Sequence, residues 1–124
     1  MDYLQLVENG RKSDSRVQEV TGVAYGLKQI AMDHDAPVLA VAQLNRAAEG
    51  NAVPKLSDLR ESGGIEQAAD NVLFVYQHPK DEPSNVVRIR VGKQRNGPRD
   101  LECRVLFDGP RFRFESLANE SGAP

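Results

Sequence analysis

Three groups of residues have the types and the spacing for work at a phosphate. Gln43 directly follows the apolar run Val38–Ala42 and precedes Leu44-Asn45-Arg46. That puts an amide at the carboxyl end of an expected strand, where open α/β sheets bind ligands. Arg60, Glu61 and Gly63 lie in SDLRESGGIEQ, Ser57 to Gln67. An arginine and the backbone N–H groups that glycine exposes can hold phosphates without reading bases. A helix starting near Ile65 would add the positive end of its dipole. Lys93 and Arg95 flank Gln94 at the tip of an expected hairpin. Each group also has a plainer reading: a loop-bonding glutamine, an exposed Arg60–Glu61 ion pair ahead of a helix, and a basic tip that serves solubility and edge protection.

Composition narrows the classes. The 124 residues suffice for one domain with a single core, and 40% hydrophobic with 27% charged content describes a globular chain. No apolar run reaches the roughly 20 residues needed to cross a bilayer, and no signal peptide is visible. The single cysteine, Cys103, excludes an internal disulfide and agrees with a reducing cytoplasm. Net charge is only −2, yet the stretch from Val86 to Arg113 carries eight basic and three acidic residues, a local +5. Such a stretch is either a solvated sheet face or a surface for an anionic partner. His34 and His78 share no spacing with other ligand types and read as surface residues.

The elements that must position these groups follow from period and punctuation. Residues Asp2 to Leu6 could end a strand, and Glu8 to Ser13 is a polar loop. Ser15 with Gln18 is a capping-box signature. Val17, Val20, Ala24, Leu27 and Ala31 then recur at steps of three and four, predicting a helix that ends near Asp33. Val38–Ala42 and Asn71–Tyr76 read as strands covered on both faces, as in a parallel sheet. From Val87 the period becomes two: Val87, Ile89 and Val91, then Leu101, Cys103, Val105 and Phe107, with Asn96-Gly97 between them. That is a hairpin with a long loop, and its apolar positions, Cys103 included, are expected to face inward. Phe112 and Phe114 form a last short strand. No linker divides the chain; residues 1–118 are expected as one domain and 119–124 as a disordered tail.

AQLNR at Ala42, SDLRESGG at Ser57 and GKQRNGP at Gly92, in this order, resemble the motor domain of the DnaB family of replicative hexameric DNA helicases. The resemblance covers nearly the whole chain. It implies an α/β fold: part of a RecA-like (P-loop NTPase) sheet with helices, ending in an antiparallel β-hairpin. It implies that Gln43 senses the γ-phosphate, and that Lys93 and Arg95 reach the ATP of a neighbouring subunit. Arg60, Glu61 and Gly63 would meet single-stranded DNA in a central channel, with Arg11 and Lys12 on a second channel-facing loop. Asp2 looks like the Walker B aspartate that holds Mg²⁺ through water, although only Met1 precedes it here. The implied partners are the other subunits of a homo-hexamer, single-stranded DNA, a primase and a helicase loader, all in the cytoplasm and none in a membrane.

The departures are equally specific. No G-x-x-x-x-G-K-[ST] occurs: Gly92-Lys93 is followed by Gln94, and Val87 stands where the first glycine would be. Ala42 stands for a usual serine, Tyr25 for a usual arginine and Ala68 for a usual aspartate. The chain therefore reads as the carboxyl-terminal half of the motor domain. ATP and Mg²⁺ belong to the complete enzyme and are not expected to bind tightly to this chain alone, nor is the chain alone expected to hydrolyse ATP. Two alternatives stand beside this: a non-catalytic, helicase-derived protein that binds single-stranded DNA or regulates a ring, and a RecA-like ATPase of recombination or repair. Half a sheet also leaves strand edges unpaired, so self-association in isolation is expected.

Overall fold

The computed structural model describes residues 15–45, 53–59, 63–81 and 83–117. They form two compact units. The main boundary falls between Asp70 and Asn71, two residues beyond the helix that ends at Ala68, and Ala52–Pro54 also belong to the second unit.

In the first unit, helix α1 runs Arg16–Asp33. It begins where the capping pattern places it: the Ser15 hydroxyl accepts the Gln18 N–H at 3.3 Å. It stops because His34 and Ala36 return their N–H groups to Ile30 and Ala31, with Asp35 at φ 46° and Pro37 next in the chain. The buried stripe is Val20, Val23 and Ala24, while Val17 at the open first turn stays half exposed. A 3₁₀ turn, Leu56–Asp58, is tied by the Lys55 N–H to the Asp58 carboxylate at 2.8 Å. It leads to Leu59, which bridges to Leu44. Helix α2, Gly63–Ala68, buries Gly64, Ile65 and Ala68. Gly64 is required by contact: a Cβ there would lie 2.3 Å from the Thr21 hydroxyl of α1. Tyr25 donates to Gln67 at 3.2 Å and Lys28 pairs with Asp70, which fastens α2 along α1.

The expected strand Val38–Ala42 makes no ladder. Leu39 is 93% exposed. A strand exists only against a neighbour, and no described segment pairs with this one, so Val38, Leu39 and Val41 stay exposed.

The second unit is a four-stranded antiparallel sheet in the order β1 (Asn71–Tyr76), β2 (Val86–Gln94), β3 (Glu102–Asp108), β4 (Arg113–Ser116). The hairpin read from the period-two pattern is β2–β3, with Val87 opposite Val105 and Ile89 opposite Cys103. Two expectations fail here. β1 is not covered on both faces: Phe74 is buried, but Leu73 and Val75 on the other face are mostly exposed. Cys103 is exposed rather than inward, because the sheet face it shares with Ile89 has little packed upon it. β4 follows a 3₁₀ turn at Gly109–Arg111 and stacks Phe114 against Phe107, ring centroids 5.1 Å apart.

Candidate functional site

In the first unit the segment that carries Gln43 lies beside the start of the Ser57–Gln67 run. The Leu44–Leu59 bridge and the Asn45 N–H to Asp58 carbonyl bond, 2.7 Å, bring Gln43 beside the residue that precedes Arg60. Gln43 itself is exposed. Gly63 opens α2, and a Cβ built there would meet nothing within 4 Å. Packing against the described residues therefore does not explain the glycine. Arg60, Glu61, Arg11, Lys12 and Asp2 lie outside the described residues.

In the second unit Lys93 lies near the end of β2 and Arg95 stands exposed in the loop beyond it. The neck of that loop is closed by the Val91 N–H to Leu101 carbonyl bond, 2.8 Å, and the Asp100 N–H to Val91 carbonyl bond, 3.0 Å. Asp100 sits at φ 62°, a strained conformation for a residue with a side chain. Its carboxylate accepts from Arg90 at 2.6 Å, and Arg90 also donates to the Pro54 carbonyl at 3.3 Å. Inside the tip, a Cβ at Gly97 would fall 2.6 Å from the Gln94 amide, so the Gln94 side chain folds across the loop against Gly97.

A second charged cluster was not visible in the sequence. Arg88 grips Asp81 through Nε and Nη2 at 2.7 and 2.6 Å and donates from Nη1 to Glu102 at 2.7 Å. The Tyr76 hydroxyl donates to the other Glu102 oxygen. One guanidinium thus joins three strands to the β1–β2 connection with the bidentate geometry that favours arginine over lysine. The hydrogen bonds from Arg88 hold the Asp81 carboxyl below the usual carboxylate range, and those to Asp81 raise Arg88. Burial, reinforced by Glu102, pushes the Tyr76 phenol up, so it remains a donor. The local excess of positive charge is reduced accordingly: Arg88, Arg90, Arg111 and Arg113 each pair with an acid.

A pH dependence follows. Because the folded Asp81 carboxyl titrates lower than in the unfolded chain, its contribution is complete above about pH 4 and disappears as pH falls through the depressed value. The urea midpoint should therefore drop on acidification, and Asp81→Asn should lower the neutral midpoint while flattening that acid limb. Parallel acid limbs for the two proteins would reject the assignment.

Among the described residues no group of three His, Cys, Asp or Glu side chains is placed to hold a metal ion. His34 caps α1, and His78 Nδ1 accepts the Lys80 N–H at 3.2 Å. Among the described residues no helix is long and apolar enough to cross a membrane.

Comparison with known proteins settles the lineage. Residues 1–116 match the family described as DnaB-like helicase C terminal domain. The chain belongs to that family. This DnaB-like chain is 42% identical over 126 residues to the replicative DNA helicase DnaB of Haemophilus influenzae, and 45% identical over 105 residues to the replicative DNA helicase DnaC of Bacillus subtilis. The first alignment covers 97% of this chain but 27% of the relative, so the chain spans about a quarter of the curated relatives it matches. Its fold matches a solved ATPase domain with a TM-score of 0.84 and 36% identity, covering 94% of this chain and 43% of that one. A DnaB-like replicative helicase, solved for its interactions with primase, gives the same TM-score and identity, with 29% of that chain covered. The RecA-like, mixed helix and strand class expected from the sequence is therefore the right one.

Proposed function

We propose that this chain is the carboxyl-terminal half of the motor domain of an ATP-dependent replicative DNA helicase, which works in the cytoplasm as a hexameric ring on single-stranded DNA. The observation that carries the proposal is the basic hairpin tip, Lys93 and Arg95, on a loop whose neck is closed by backbone bonds and by the Arg90–Asp100 pair. A cation carried beyond the ends of two central strands suits a phosphate presented by another subunit. In this reading Arg95, with Lys93, stabilises charge on the γ-phosphate of the neighbour's ATP. Gln43, next to the DNA loop through the Leu44–Leu59 bridge, couples that phosphate to the strand.

The loop from Arg60 to Gly63, with Arg11 and Lys12, holds DNA phosphates. Asp2 and the preceding part of the whole protein supply the Mg²⁺ and nucleotide cradle, since this chain has no P-loop of its own. Primase and a loader are partners of the complete ring; the primase proposal is supported by the similarity to a helicase solved for that interaction.

Titration of labelled single-stranded DNA against the assembled ring tests the DNA loop. Arg60→Ala should weaken binding about equally for all sequences and reduce the slope of log affinity against log salt by about 1. Unchanged affinity and slope would remove Arg60 from the channel.

A further inference from the structure

A regular strand puts residues 87, 89, 91 and 93 on one face. β2 does not obey this. Lys93 stands opposite Val72, and Val91 stands opposite Leu73, which leaves Gly92 as an extra residue with no partner on β1. Opposed residues of an antiparallel pair share a face, so Lys93 lies on the face of Phe74 and Arg90, not with Val91 and Ile89. The bulge thereby moves the first cation of the tip from the apolar side of the sheet to the charged side. Bulges are known to re-aim side chains in this way.

At the bulge the backbone runs close against one ring. A Cβ at Gly92 would stand 2.3 and 2.8 Å from two ring carbons of Phe74. That ring is 3% exposed, so it has no solvent to move into. Glycine at 92 and an aromatic ring at 74 thus form a matched pair. We infer that Gly92 and Phe74 are positioning residues that set the direction in which Lys93 and Arg95 leave the sheet. This rests on the reading that the tip acts on a neighbour's nucleotide.

The test is a double-mutant cycle in the full-length ring that bears this segment, with steady-state ATP hydrolysis as readout. Gly92→Ala should lower kcat by about 10²-fold, the cost of misplacing a catalytic group by an ångström, while KM for ATP changes by less than about twofold. Phe74→Val removes the ring atoms that the new methyl would strike. Combined with Gly92→Ala it should recover most of the lost kcat, and Phe74→Val alone should be slower than the pair. Additive losses, or a Gly92→Ala ring with full kcat, would overturn the inference. Should Gly92→Ala fail to assemble, the comparison of the double variant with Phe74→Val decides, and a double variant no faster than the single overturns it. Arg95→Ala is run alongside. If it retains full kcat, the trans-acting tip is wrong; if it loses activity while Gly92→Ala does not, only the positioning role is wrong.

Discussion

Arg95→Ala should reduce ATP hydrolysis by the assembled ring about 10³ to 10⁵-fold, equivalent to about 4 to 7 kcal/mol of barrier. The size follows from what a cation at a phosphoryl-transfer site does. Charge spreads over the γ-phosphate oxygens in the transition state, and a guanidinium held in place stabilises it without reorganising. Arg95 suits this role by its setting: it is exposed, it follows a strand end, and its loop is closed at the neck rather than hanging free. Arg111 offers a matched control, being exposed but paired with Asp108 at 2.8 Å on another turn of the same sheet. Arg111→Ala should leave hydrolysis within about twofold, as expected for a surface pair. A stricter form of the test mixes subunits. Subunits lacking Arg95 combined with subunits lacking the phosphate-binding lysine of the nucleotide site should regain hydrolysis where an intact arginine meets an intact site. Failure to regain any would show that the arginine serves its own subunit.

The second large effect concerns stability. Phe74→Ala should lower the unfolding free energy of this chain by about 3 to 5 kcal/mol, read as a shift in the urea midpoint at unchanged slope. Against the roughly 5 to 15 kcal/mol of an ordinary domain, that is a large share. The reason is local. Phe74 is the buried side chain of β1, whereas Leu73 and Val75 are 56% and 60% exposed. Leu73→Ala, on the same strand and the other face, should therefore change stability by about 0.5 kcal/mol or less. Equal effects at 73 and 74 would mean that the strand buries both faces after all.

That contrast also shows how far the sequence could be read. The start of helix α1 was legible from Ser15 and Gln18 and its end near Asp33 from the period, while of the expected stripe Val20 and Ala24 are buried and Val17 is not. The β2–β3 hairpin was legible for the same reason. The strands at 38–42 and 71–76 were judged by apolar content alone, which reports that a segment could be covered but not whether anything covers it. Gly92 was a missed signal: a glycine inside an alternating strand marks a bulge or a close approach, and here it marks both. The Asp81–Arg88–Glu102–Tyr76 cluster offered no signal. Its members are spread over residues 76 to 102, and only the fold of the β1–β2 connection brings Asp81 under Arg88. Of the site residues, Gln43, Gly63, Lys93 and Arg95 could be located, while Arg60, Glu61, Arg11, Lys12 and Asp2 fall outside the described residues.

The exposure of Cys103 has a practical use. It is the one thiol in these 124 residues, on a regular strand directly across from Ile89 and clear of the tip loop. A maleimide dye would couple there at a single stoichiometry, without engineering a new anchor. From that point, changes in emission would follow the hairpin in real time as the isolated chain unfolds and refolds.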